Sequence, residues 1–263
     1  MWTTPNEAGA MSDDGEGGTA GDEVFAAVDH AEQALGGFDV MVNNAGIFIA
    51  KPFTEYTDAD YDAITGVNSR GFFELTRAAI RTMEAQGDGG HVVTISTSLV
   101  DQANSQVPSA LASLTKGGLN AATRALAVEY GTRGIRANAV ALGIIHTPMH
   151  APETHEFLSA LHPVGHMGDI SDVVDGVLYL ENAKFVTGEI LHVDGGQSAG
   201  QVGGELGGGQ GPVAGGGQAA HLVGEVLRRD GHQPRRGGNV VVHQHRDRAG
   251  GFHRPRLSAR LRR

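Results

Sequence analysis

The sequence predicts an α/β fold, a partial parallel sheet with flanking helices. Three observations carry that expectation. Short apolar runs of strand length alternate with longer stretches of helical periodicity. The runs are apolar throughout, as in strands buried on both faces. Glycines punctuate the joins. Val24, Phe25, Val28, Ala31 and Leu35 lie at helical spacing, stopped by Gly36 and Gly37. Phe38–Val42 reads as the first strand. Tyr61–Met83 reads as one long helix with Ile64, Val67, Phe72, Leu75 and Ala79 on its apolar face. His91–Ile95 is a second strand, Ser113–Tyr130 a helix ended by Gly131 and Gly134, and Ile135–Val140 a third strand. Ser171 is the expected N-cap of a helix over Asp172–Leu180. Glu189–Val193 is a fourth strand, closed by Asp194, Gly195 and Gly196.

Composition divides the 263 residues into three parts. Residues 1–21 are polar, acidic and without periodicity, and read as disordered. Residues 22–200 hold the alternating pattern. Residues 201–263 are rich in Gly and Arg and read as a structureless tail. The net charge of −10 is the sum of two unlike segments. Residues 1–200 carry 9 Lys and Arg against 26 Asp and Glu, and the tail carries 11 Arg against 4 acids. The tail has one aromatic, Phe252, and no stacking pattern, so no nucleic-acid partner is expected. Its composition is what GC-rich DNA encodes out of frame, and a frameshifted or read-through extension is the expectation, with a misplaced start as its counterpart at the N-terminus. The absence of Cys excludes disulfides, iron–sulfur clusters and thiol chemistry. No run approaches the ~20 apolar residues of a membrane span, and no signal-like segment opens the chain. A cytoplasmic location is expected.

The chemistry-bearing residues cluster at strand ends. Asn43, Asn44, Ala45 and Gly46 follow the first strand, where small and amide residues let backbone pass close to a ligand. Asn68 stands inside a helix, where Asn is unfavourable. Ser96, Thr97 and Ser98 follow the second strand. Lys116 lies in Leu114–Gly118. Gly143, Ile145 and Thr147 follow the third strand. In this order and spacing the motifs resemble the short-chain dehydrogenase/reductase family over about residues 22–200, with the tract Ser109–His150 most like 3-oxoacyl-carrier-protein reductases.

The resemblance implies a Rossmann-like fold, NAD or NADP as cofactor, and hydride transfer on a small carbonyl or alcohol substrate. It implies that Asn44 and Gly46, with Asn43 and Ala45, line the adenosine side of the cofactor. Asn68 would hold a water-linked proton path. Ser98 or Thr97 would polarise the substrate oxygen. Lys116 would bind the nicotinamide ribose and favour ionisation of a neighbouring phenol. Gly143, Ile145 and Thr147 would sit by the nicotinamide amide and phosphates. A homo-oligomer paired through Tyr61–Met83 and Ser113–Tyr130 is implied by the same analogy.

The chain departs from that pattern in three places. The family's acid/base is a Tyr four residues before the Lys, and here that position is Ala112. Tyr130 lies about 21 Å beyond Lys116 along the helix axis and cannot substitute. The expected opening strand, Gly-rich turn and helix are missing, and Gly15–Gly21, flanked by Asp13, Asp14 and Glu16, would repel a pyrophosphate. In the family strand order 3-2-1-4-5-6-7 this removes strands 3, 2 and 1 and leaves Phe38–Val42 as an exposed edge. Leu142 replaces a usual Pro. A non-catalytic relative that does not bind cofactor productively is therefore the alternative reading, and the one the departures favour for turnover by this chain.

Two other constellations carry less. His146 and His150, and His162 and His166, share a four-residue spacing, but Pro148, Pro163 and Gly165 break any helix between them, so no metal site is expected. The 146–166 segment is the expected substrate lid, with His146, His150 or His155 toward substrate. Ser98 lacks the Gly-x-Ser-x-Gly surroundings of a hydrolase nucleophile.

Overall fold

The computed structural model describes Gly37, residues 39–200 and three further strands, Gly224–Leu227, Asn239–His243 and Arg256–Arg260. The helical pattern over Val24–Leu35, the segment 1–21 and the rest of 201–263 lie outside the described residues.

Four parallel strands form the centre of the molecule: β1 (Val40–Asn43), β2 (Gly90–Thr97), β3 (Ile135–Leu142) and β4 (Ile190–Val193). They lie side by side in chain order. Val40 pairs with His91, Gly90 with Ile135, and Ala139 with Ile190. All four coincide with the expected strands to within a few residues.

The free side of β1 differs from the expectation of an exposed edge. Strand β5 (Gly224–Leu227) runs antiparallel along it, with Val40 opposite Leu227. An edge presents a row of unpaired backbone groups, and a fifth strand satisfies them. Strands β6 (Asn239–His243) and β7 (Arg256–Arg260) pair antiparallel in a second, two-stranded sheet.

The helices are α1 (Asp58–Ile64), α2 (Gly71–Gln86), α3 (Ala110–Tyr130), α4 (His155–Ala160) and α5 (Ile170–Asn182). The helix expected over Tyr61–Met83 is thus two helices joined by a π-helical stretch, Thr65–Arg70. Such stretches are rare and frequently mark functional sites. Thr57 and Asp60 form a reciprocal capping box at the start of α1. Gly87, at φ 79°, ends α2 in the left-handed conformation that a side chain would disfavour. Helix α3 starts three residues before the expected Ser113, whose N–H already donates to the Ser109 carbonyl. The cap of α5 is Asp169, not Ser171. Asp169 and Asp172 bond reciprocally across the first turn, with the Asp169 N–H donating to Asp172 Oδ2 at 2.8 Å. A carboxylate also suits the positive end of the helix dipole, so the longer-reaching acid holds the terminus and Ser171 falls inside it.

Both sheet faces are covered, which explains the unbroken apolar strands. On one face Met41, Val92, Ile135 and Ala137 pack against Ala79 and Met83 of α2 and Ala127 of α3. On the other, Val40, Val42, Val93, Ile95 and Val140 meet Leu180 of α5. A polar network ties β2, β3 and α5 together behind this second layer. Asn138 donates to the Val186 carbonyl and accepts from the Glu189 N–H, so its amide orientation is fixed. Its amide nitrogen then donates to His91 Nε2 at 2.9 Å, which makes His91 Nδ1 the donor to Glu181 at 2.9 Å.

Candidate active site

The C-terminal ends of β1, β2 and β3 open onto a cavity of about 280 Å³. This is where open α/β sheets hold their ligands. Each wall is traceable to a sequence feature. The turn after β1 supplies Asn44, Gly46 and Phe48. The end of β2 supplies Ser96 and Thr97. Helix α3 supplies Ala112 and Lys116. The segment after β3 supplies Gly143, Ile145 and Thr147, and His150, Phe157 and Leu158 close the far side.

Lys116 is the floor of the cavity. Its Nζ donates to the Ile95 carbonyl at 2.7 Å. Burial away from water disfavours the charged amine and lowers its pKa to about 8. No carboxylate is among the described residues that line the cavity. A Cβ at Gly46 would stand 3.0 Å from Lys116 Nζ, so a side chain there would press the amine aside by a few tenths of an ångström.

Asn68 stands directly behind that wall, in the π-helical stretch, and is almost fully buried. Its Oδ1 accepts from the Ile47 N–H at 2.9 Å. Its Nδ2 donates to the Ile47 carbonyl and to Thr115 Oγ1, each at 3.1 Å. One side chain therefore clamps the β1 turn to α3, one residue from Lys116. It acts on the cavity through Ile47 rather than by lining it.

The three hydroxyls after β2 have different surroundings. Ser98 is fully buried, does not line the cavity, and donates to Gln197 Oε1 at 2.7 Å. Thr97 lines the cavity, and its Oγ1 accepts from the Leu99 N–H at 3.3 Å, which leaves its proton available to a ligand. Ser96 also lines the cavity, and its buried hydroxyl has no partner among the described residues. Asn43 and Ala45 are buried in the β1 strand and turn, outside the cavity wall. The cavity thus gathers Asn44, Gly46, Thr97, Lys116, Gly143, Ile145 and Thr147, and leaves Asn43, Ala45 and Ser98 outside its lining.

Ala112 lines the cavity one helical turn before Lys116. A methyl group thus stands where a longer side chain would reach the amine. The surrounding wall is apolar, with Ile47, Leu99, Val107 and Ile144 among its members.

The segment after β3 is held by a residue that sequence spacing presented only as half of a possible metal pair. His162 is buried. Its Nδ1 donates to the Leu158 carbonyl at 3.0 Å and its Nε2 accepts from the Ile144 N–H at 2.9 Å. Accepting at Nε2 needs the neutral ring, and burial lowers its pKa accordingly. Gly143 must be glycine here, since a Cβ would fall 2.8 Å from both His162 Nε2 and Asp194 Cα. His150 lines the cavity, whereas His146 stacks edge-on against His155 at 4.6 Å between ring centres. Burial, then the neighbouring His155 and His146, lowers the His150 pKa, so this wall is uncharged at neutral pH.

Known proteins share this architecture. A family model described as enoyl-(acyl carrier protein) reductase matches residues 19–198. The BbsD subunit of (2S)-[(R)-hydroxy(phenyl)methyl]succinyl-CoA dehydrogenase from Thauera aromatica is 36% identical over 195 residues, covering 72% of this chain and 75% of that one. Glucose 1-dehydrogenase from Gluconobacter oxydans is 34% identical over 182 residues, covering 66% and 68%. Among solved structures, ElxO with NADP bound is 29% identical with a TM-score of 0.64, covering 69% of this chain and 75% of that one. The matched residues take in the whole four-stranded parallel sheet and every wall of the Lys116 cavity, and the chain belongs to the short-chain dehydrogenase/reductase family.

Proposed function

We propose that the Lys116 cavity is the site of NAD(P)-dependent hydride transfer on a small, uncharged carbonyl or alcohol substrate. The observation that carries this reading is the juxtaposition of an ammonium, a free hydroxyl and apolar walls. Lys116, Thr97 and a wall without carboxylates share one cavity at the strand ends. The nicotinamide end of the cofactor fits the residues present. Gly46 keeps the space above Lys116 clear, and the Ser96 hydroxyl faces the cavity without a partner among the described residues. Lys116 would hold the nicotinamide ribose, and Ile145 and Thr147 the amide. The Gly15–Gly21 segment lies outside the described residues. When bound, such a cofactor supplies the hydride.

The chain's own residues supply the rest. The Thr97 hydroxyl donates to the substrate oxygen and polarises the carbonyl. Apolar walls exclude water, which strengthens that hydrogen bond. Asn68 fixes the β1 turn against α3, so Lys116 and Gly46 keep their spacing. Ala112 offers no proton. General acid catalysis is worth about 10²–10⁴ in rate, so the chain as it stands is a slow catalyst with a formed binding site. Titration with NADH and NADPH, followed by nucleotide fluorescence, tests this. Saturable binding is expected. Its absence for both nucleotides would favour the non-catalytic relative, which Ala112 alone already supports.

The other parts of the reading follow the family. The protein is proposed to act in the cytoplasm, and no helix among the described residues is long and apolar enough to cross a membrane. It is proposed to form a homo-oligomer through α1, α2 and α3, where Tyr61, Phe73, Leu114 and Val128 are exposed. Light scattering on the purified chain should give a multiple of 27.4 kDa; a monomer would contradict the assembly.

A further inference from the structure

The Lys116 amine has a second use that does not depend on a nucleotide. The chain contains three lysines, Lys51, Lys116 and Lys184. Lys51 is paired with Asp60 at 2.7 Å, and Lys184 with Glu181 at 3.0 Å. Lys116 has no acidic partner among the described residues, and its Nζ donates to the Ile95 carbonyl. It alone lines the cavity, and the small Ala112 leaves the approach to its nitrogen open.

We propose that the Lys116 amine condenses with uncharged, apolar aldehydes to form an imine within this cavity. In the neutral amine one N–H stays on the Ile95 carbonyl and the lone pair is free to face the cavity. That lone pair attacks the aldehyde carbon, the C=O π pair moves to oxygen, and the alkoxide takes up a proton as the new ammonium nitrogen sheds one. The resulting carbinolamine then loses its hydroxyl as water as the nitrogen gives up its hydrogen. The net change is amine plus aldehyde to imine plus water, without an oxidant or reductant. The Thr97 hydroxyl lines the same cavity and suits the developing oxyanion. Ile47, Leu99, Val107 and Ile144 line the cavity and give an apolar aldehyde a surface to bury against. Desolvation favours the reactive form, because Lys116 titrates at about 8 while an ordinary lysine titrates near 10.4.

Benzaldehyde with cyanoborohydride traps such an imine as a stable benzyl amine, and peptide mapping locates it on the intact, nucleotide-free chain. At pH 7.5 Lys116 should be alkylated at least about tenfold faster than Lys51 or Lys184. Burial and the nearby Arg136 lower the Lys184 pKa as well, so Lys184 is the demanding internal control. The Lys116 rate should climb through about pH 8 and then level. In urea the three lysines should react alike. Even labelling of the folded chain, or preference for Lys184, would overturn the proposal. Lys116→Arg should abolish the fast phase of labelling; a fast phase that persists at another site of the folded variant would overturn it too. The wild-type comparison needs no variant to fold, and its result is independent of whether a nucleotide binds.

Discussion

Replacing Ala112 with tyrosine should raise NADPH oxidation in the presence of an apolar aldehyde by about 10²–10⁴-fold. The position lies one turn before Lys116 and on the cavity wall, so the new phenol would enter the cavity beside the amine. A phenol of pKa about 10 is a far better proton donor than any group now in that place. The Lys116 ammonium favours its ionised form and brings it closer to the working pH. The residues packed with Ala112, Ile47, Ile64 and Leu111, are apolar and suit a largely hydrophobic ring edge. The gain should be in kcat, because the acid acts on the developing alkoxide rather than on ground-state binding. A folded variant that binds nucleotide yet shows no gain would contradict the assigned position of the acid. The same substitution should slow benzaldehyde labelling of Lys116, since the ring closes the approach that alanine leaves open.

Substituting leucine for Asn68 should cost about 2–4 kcal/mol of stability. Leucine matches the buried volume but makes none of the three hydrogen bonds. The Ile47 N–H and carbonyl would lose their amide partner in an interior site, and Thr115 Oγ1 would lose its donor. The loss should register as a lower urea midpoint. It should also weaken nucleotide binding, because the β1 turn that carries Gly46 would no longer be fixed against α3. A variant of unchanged midpoint would show that the clamp is energetically idle. One that is destabilised but binds nucleotide as the parent does would confine Asn68 to folding.

The strands were legible in the sequence because each is buried on two faces, so apolarity alone marks them. Val40, Val42 and Val93 point to one layer, and Met41 and Val92 to the other. Helix interiors were legible for the same reason, from the spacing of Leu75, Ala79 and Met83. Helix boundaries were not. The Asp169 cap works together with the Asp172 side chain, which reaches back over one turn to the Asp169 N–H, and Ser171 carries the same local signal without that geometry. The π-helical stretch is invisible to periodicity, although the misplaced polar residue within it, Asn68, was a usable sign.

Site residues separated by a similar rule. Gly46, Thr97, Ile145 and Thr147 were recognisable as motif members at strand ends, and Lys116 as one within a helix. The choice between Thr97 and Ser98 needed the chain direction at the end of β2. The strand ends at Thr97 and the chain turns at Ser98 into a short 3-10 helix, so Thr97 lines the cavity while Ser98 turns inward to Gln197. His162 carried no chemical signal beyond a spacing. Its role depends on Ile144 and Leu158, residues brought to it only by the fold. The edge of β1 needed the tail, whose composition gave no hint of strand β5.

The central claim is that one cavity, floored by Lys116 and walled by Thr97 and position 112, orders nucleotide and carbonyl for direct hydride transfer. Deuterium labelling tests it most directly. The Ala112→Tyr chain would be mixed with NADPH deuterated at the transferring carbon and an apolar aldehyde, and the alcohol analysed by mass spectrometry. The account predicts one deuterium in the product, and its loss when Lys116→Met is added to the same chain. Bound nucleotide with no deuterium in the alcohol, or transfer that is indifferent to Lys116, would contradict it.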